Sequence, residues 1–303
     1  MRILIIVNPF ASSVTARSTV VIHKALSADH DVSLVETNRR GQATRYAHDA
    51  ASKGVEVVVA LGGDGTLNEV ANGVVGTSTA LAPLPGGSTN VFARTLGYPN
   101  DPIEATGVLV GGLARGKFQR VGVGRVGDRA FLFHTGIGFD AAVVANVERR
   151  GELKRWAGHP LFIWSGLTTW ARGYDRGHPH FSATCSDGTE IADGYFGICL
   201  NTNPYTYLGN TPLNLSEAAT LDRGLVLVVF RSLSPAVLVP AITSALRGKG
   251  IPSGRHVTVR TDLTWIEVEG RVPLPWQVDG DHLGETTNLS FRHEPDALAL
   301  VLP

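Results

Sequence analysis

The sequence predicts two domains of different architecture: an N-terminal α/β domain built on a parallel sheet, then a largely antiparallel, β-sandwich-like one. Three observations carry this reading. The 303 residues are 43% apolar and 18% charged, which fills the cores of two ordinary domains and excludes a disordered chain. In the first third, short apolar runs alternate with stretches of helical period, the pattern of βαβ units. From about Gly116, β-branched and aromatic runs follow one another directly, parted by Gly, Pro, Asn and Asp turns. The division is expected at residues 115/116.

Taken in order, the strands of the first domain are expected at Arg2–Val7, Asp31–Glu36, Val55–Leu61 and Ala80–Leu84. Helices are expected between them, near Val14–Ser27, Gln42–Lys53 and Leu67–Val75. The opening run MRILIIV meets Asn8-Pro9 at once, too soon for a signal peptide or a membrane helix. The second domain's strands lie in RAFLFHTGIGF, GYFGICLN, GLVLVVFR, RHVTVRT, TWIEVEG and TNLSFRH. Helical insertions interrupt them near Asp140–Ala171 and Pro235–Leu246.

Composition excludes some functions. A formal net charge of zero argues against nucleic acid held by a general basic field. Cys185 and Cys199 fit no zinc spacing and no disulfide framework, so reduced, buried thiols and a cytoplasmic location are expected. No run of 18 apolar residues occurs, so any membrane contact is peripheral.

Each of the first four strands ends in small polar residues, and ligands of parallel sheets gather beyond strand carboxyl ends. Strand one runs into Asn8-Pro9-Phe10-Ala11-Ser12-Ser13, and strand two into Thr37-Asn38. Strand three runs into Gly62-Gly63-Asp64-Gly65-Thr66, and strand four into Pro85-Gly86-Gly87-Ser88-Thr89-Asn90. The last two are glycine turns before helices, where backbone amides and the helix dipole favour phosphate oxygens. Neither matches the P-loop or the dinucleotide turn. Taken singly, each end also reads as an ordinary turn.

The motifs NPFASS, GGDGTLNEVANG, PGGSTNVFART, GIGFDA and VDGD occur in that order from Asn8 to Asp281. In them the chain resembles the diacylglycerol kinase catalytic-domain family of lipid kinases, which includes bacterial diacylglycerol kinases and sphingosine kinases. The resemblance implies a nucleotide-binding first domain, a lipid-acceptor second domain and an ATP crevice at their junction. It also implies that the last strand, about residues 296–303, returns to the first domain. It assigns nucleotide contacts to Asn8, Ser12 and Thr37, to Gly62, Gly63, Asp64, Gly65, Thr66 and Asn68, and to Ser88. Asp140 would line the acceptor side, and Asp281 stands where the family carries a glutamate general base. The implied reaction uses ATP and Mg²⁺ to phosphorylate a diacylglycerol-type lipid alcohol.

That chemistry explains an acid in an anion-binding turn. A bare carboxylate beside a triphosphate is repelled, so Asp64 is expected to bind Mg²⁺, directly or through water, or to orient the acceptor hydroxyl. The alternative is a helix cap for a helix starting near Leu67, although Thr66 already suits that place.

Two departures stand out. Asp281 is shorter than glutamate by one C–C bond, about 1.5 Å, so the backbone must shift or a water intervene. Equally, VDGD reads as an Asp-Gly hairpin turn. Where the family often carries an Asp-Asp-Gly segment holding a structural Mg²⁺, this chain has Asp222-Arg223-Gly224, which predicts an empty or weak site.

Residues 148–174 hold three of the five tryptophans beside Arg149, Arg150, Lys154, Arg155 and Arg172. They read either as a peripheral contact at the inner membrane face or as an amphipathic helix packed inward. A homodimer is left open. So are two other functions, an NAD kinase-like small-molecule kinase and a non-catalytic nucleotide or lipid sensor.

Overall fold

The computed structural model describes residues 1–139, 141, 142, 175 and 177–303. Asp140, nearly all of the expected Asp140–Ala171 helix and the whole of 148–174 lie outside the described residues. The chain divides into two compact units, Met1–Val123 with Asp296–Pro303, and Gly124–Pro295.

The first unit alternates β1 (Arg2–Val7), α1 (Ala16–Leu26), β2 (Asp31–Glu36), α2 (Gln42–Ser52), β3 (Val57–Gly62), α3 (Asp64–Val74) and β4 (Ala80–Pro85). Two more helices follow, α4 (Val91–Thr95) and α5 (Pro102–Ala114). The strands pair in parallel in the order β2-β1-β3-β4, with Leu4 opposite Ser33 and Val58, and Val58 opposite Leu81. β3 and β4 are buried along their whole length because helices cover both sheet faces, which is why they read as unbroken apolar runs. Ile3, Ile5, Val57 and Val59 form one core face with Ile22 and Leu26 of α1 and Leu109 and Leu113 of α5. Local chemistry sets the helix starts. Thr15 and Ser18 form a reciprocal capping box on α1, and Asp101 accepts from the amides of Ile103 and Glu104 ahead of Pro102.

The texture change expected at 115/116 marks the end of α5 at its cap, Arg115. The next strand, β5 (Phe118–Val126), runs on past the division between the units. The chain re-enters the first unit at the end of its last strand, β16 (Asp281–Val301), where Ala299 and Leu300 pair in parallel with Ala80 and Leu81. This explains two prolines in a covered strand. The amides of Ala80 and Gly86 face β3, donating to Glu56 and Gly62, so Pro83 and Pro85 turn their missing donors to the other side. On that side pairing ends at Leu81, so no ladder bond is lost.

The second unit is antiparallel. After β6 (Arg129–Phe131), strands β7 (His134–Gly138), β8 (Phe181–Cys185), β9 (Glu190–Gly194) and β10 (Phe196–Leu200) precede a small hairpin, β11 (Thr206–Leu208) and β12 (Thr211–Leu213). Then come β13 (Leu225–Phe230), α6 (Pro235–Leu246), β14 (Val257–Leu263) and β15 (Trp265–Val278), which leads into β16. The order β14-β13-β10-β7-β15-β16 is antiparallel at every step. One core cluster holds Phe131, Phe181, Phe291, Cys185 and Cys199, and a second gathers around Phe196 stacked on Phe230. Both cysteines are free thiols, and burial pushes Cys185 up to about 11, so neither is a ready nucleophile.

Candidate functional site

The carboxyl ends of β1, β3 and β4 are tied to one another by hydrogen bonds, and the end of β2 is tied to that of β1. Asn8 donates its side-chain amide to Thr66 Oγ1 at 3.0 Å and its backbone amide to Leu61 O at 2.9 Å. Ser13 N donates to Gly86 O at 2.8 Å, so the NPFASS loop spans from the first glycine turn to the second. Thr37 bonds back to Val7 O through both its backbone amide and its hydroxyl. The structure therefore brings Asn8, Thr37, Gly62 to Asn68 and Gly86 to Ser88 to one edge of the first unit's sheet. Ser12 and Ser88 are exposed there, whereas Thr66 and Asn68 are buried.

The two glycine turns lie backbone against backbone. Gly86 N donates to Gly62 O at 2.8 Å, and a Cβ on Gly87 would sit 2.7 Å from Gly63 Cα. Close approach, not a left-handed conformation, is what demands glycine at 62, 86 and 87, since none of them has positive φ. Asn90 fastens the second turn. It adopts a left-handed conformation at φ 52°, accepts from Gly87 N and donates to Gly87 O and to Asn100 Oδ1. The two glycine amides of this turn are engaged inside the protein, Gly86 N with Gly62 O and Gly87 N with Asn90 Oδ1.

The helix after the first turn begins at Asp64, not near Leu67, with Gly63 at the cap and Thr66 inside the first turn. Asp64 does not cap its own helix. Its Oδ2 accepts from Val91 N at 3.0 Å and its Oδ1 from Phe92 N at 3.2 Å, at the start of α4. Glu69, in the same motif, accepts from Gly41 N and Ala43 N at the start of α2. Two acids of one helix thus supply the capping oxygens of two others. The opening turn of α3 keeps the N–H groups that no helix satisfies internally, with the positive end of its dipole.

Asp281 stands in the second unit. Asp279 and Gly280, both at positive φ (47° and 83°), form the two-residue turn between the paired residues Val278 and Asp281. Asp279 is buried, and its carboxylate accepts from the amides of Leu132, Phe133 and His134 at 2.8, 3.0 and 3.1 Å. Asp281, the first residue of β16, keeps its side chain 22% exposed and pairs with Arg129 at 3.0 Å. Asp222 is exposed and held below the usual carboxylate range, chiefly by a hydrogen bond to Thr220. Among the described residues, no group of three or more His, Cys, Asp or Glu is placed to hold a metal ion.

Sequence reasoning found the turns but missed Asn90, Glu69, Arg129 and the buried Asp279. Asn90 had a local signal, an asparagine closing a Gly-Gly-Ser-Thr turn ahead of a helix. Arg129 lies 152 residues from its partner and carried none.

Residues 2–126 match the family described as the diacylglycerol kinase catalytic domain. The chain is 30% identical over 270 residues to "Probable lipid kinase YegS-like" of Pseudomonas putida, covering 87% of this chain and 82% of that one. A crystal structure of a diacylglycerol kinase from Bacillus anthracis str. Sterne superposes with a TM-score of 0.73 at 22% identity, covering all of this chain and 97% of that one. An NAD kinase from Archaeoglobus fulgidus, solved with ATP, shares the fold at a TM-score of 0.53 and 10% identity, over 99% and 93% of the two chains. No described helix is long and apolar enough to cross a membrane. Identity sustained over most of a lipid kinase relative, with the matched domain spanning both glycine turns, shows that the chain belongs to the diacylglycerol kinase catalytic-domain family of lipid kinases.

Proposed function

We propose that this protein transfers the terminal phosphoryl group of Mg²⁺-ATP to the hydroxyl of a diacylglycerol-type lipid, giving a phosphatidic acid-type product. The observation that carries the reading is the glycine turn at the sheet edge, opening onto the first turn of α3 with Asp64 in it. The amides of that turn receive the phosphates, beside Asn8, Ser12, Thr37 and Ser88. Asp64 also supplies the negative charge that a cation needs beside the phosphates. Its Oδ2 and Oδ1 accept from Val91 N and Phe92 N, which holds the carboxylate at the turn. A single carboxylate fits Mg²⁺, which is usually held by one or two carboxylates together with phosphates and water. When bound, Mg²⁺ neutralises charge on the phosphates. Asp281 takes the proton of the acceptor hydroxyl, and Arg129 fixes the orientation of its carboxylate. Asp140 contributes to acceptor binding.

The test is a transfer assay with labelled ATP against diacylglycerol, sphingoid bases, ceramide and NAD, with products identified by mass. Phosphorylated diacylglycerol is expected. Asp64→Asn, which keeps one capping oxygen, should lower kcat by about 10²-fold or more while lowering the unfolding midpoint less than Asp64→Ala does. Transfer to NAD alone would favour the small-molecule reading that the shared fold permits. Full lipid turnover by Asp64→Asn would remove Asp64 from the mechanism.

A further inference from the structure

Helix α6 breaks the ordinary rule for a surface helix. Its twelve residues, PAVLVPAITSAL, include no charged side chain. One face packs inward, with Ala241 and Ala245 buried and Val237 and Leu238 against the cluster around Phe196 and Phe230. Pro235, Val239, Ile242 and Leu246 follow at i, i+4, i+7 and i+11, which puts them in one exposed stripe alongside the buried face. Val239 is 59% exposed, Ile242 51% and Leu246 38%. The polar side chains of the helix are tied up internally: Thr243 donates to Val239 O at 2.8 Å, and Ser244 to Gly250 O at 2.6 Å. What remains outward is aliphatic.

Charge continues the surface. From Arg231 to His256 the chain carries four Lys or Arg residues and no acid. Arg231 is paired with Asp193. Arg247, Lys249 and Arg255 follow the apolar stripe directly, and among the described residues none has a carboxylate partner.

We propose that this face of α6, with Arg247, Lys249 and Arg255 beside it, docks the protein on an anionic lipid bilayer. A stable protein interface needs roughly 1,000 Å² or more of complementary surface. A bilayer needs only a few aliphatic side chains entering the headgroup layer and cations to hold anionic headgroups, and that is what α6 offers. The inference rests on the lipid-acceptor reading for its purpose, but not for its geometry. It is independent of residues 148–174.

Co-sedimentation with phosphatidylglycerol–phosphatidylcholine vesicles, against phosphatidylcholine alone, tests it. Wild type should prefer the anionic vesicles, and salt should weaken the binding. The triple change Val239→Gln, Ile242→Gln and Leu246→Gln should lose on the order of 10²-fold in partitioning. Neutralising Arg247, Lys249 and Arg255 to Gln should lose about fivefold per cation. Circular dichroism checks that both variants stay folded. Both should still turn over a monomeric short-chain diacylglycerol at the wild-type rate. Wild-type binding by both variants, or no vesicle binding by wild type, would overturn the proposal. Conversion of a dimer to a monomer by the apolar variant, without vesicles, would give the face to a second copy and overturn it too. If wild type phosphorylates no lipid yet sediments as expected, the acceptor reading fails and the docking stands.

Discussion

At the residue scale, the carboxylates of this chain are fasteners before they are reagents. Asp64 and Glu69 cap neighbouring helices, and Asp279 gathers three amides beneath a hairpin. An Asp64→Ala variant would therefore conflate lost chemistry with a lost cap, worth about 1 kcal/mol, which is why asparagine is the informative change. His134 gives a second residue-scale prediction. It is buried against Tyr205 at 4.3 Å between ring centroids, its Nδ1 has no hydrogen-bond partner among the described residues, and burial pushes its pKa down to about 3. Above about pH 6.5 the imidazole is neutral folded or unfolded, and pH has no effect through it. Below that, only the unfolded chain takes the proton, so stability falls as pH drops from 6.5 towards 3, by about 2 kcal/mol at pH 5. Urea unfolding of wild type and His134→Phe across this range should show a flatter profile for the variant. Parallel profiles would mean that the folded state protonates His134 readily.

At the element scale, β1 and β2 were legible to the residue: the apolar run of β1 ends in Asn8, and the alternating DVSLVE of β2 ends in Thr37. The antiparallel strands were equally visible as β-branched and aromatic runs. The start of α3 was not. Thr66 looks like a cap in sequence, but its hydroxyl accepts from Asn8 across the sheet edge, and Gly63 takes the cap position. Partners far apart in the chain, such as Arg129 and Asp281, leave no periodic trace. The glycine turns were read for their amides, whereas their spacing is set by contact between two backbones. Gly87→Ala tests this directly. A methyl 2.7 Å from Gly63 Cα must push the turns apart, at about 1–3 kcal/mol. Thermal unfolding should fall accordingly, and the KM for ATP should rise while the KM for lipid holds. An unchanged KM for ATP would separate the second turn from the nucleotide.

At the scale of the whole molecule, the first unit is assembled from two distant pieces of chain. Leu298, Leu300 and Val301 are fully buried, Tyr98 donates to Val301 O at 2.9 Å, and Leu302 N donates to Lys117 O. Removing residues 296–303 takes three buried aliphatic side chains with it, on the order of 5 kcal/mol, a large part of a domain's usual stability. The truncated protein should lose its cooperative unfolding transition for the first unit, with β1 to β4 open to protease. Retention of that transition would show that Ala299 and Leu300 are dispensable to the sheet. The same discontinuity sets an order of events on the ribosome. Residues 296–303 are synthesised after everything in the second unit, so throughout translation β4 waits with one side unpaired. A nascent chain stalled before Asp296 holds an open apolar strand edge, available to any neighbouring chain that can add a strand.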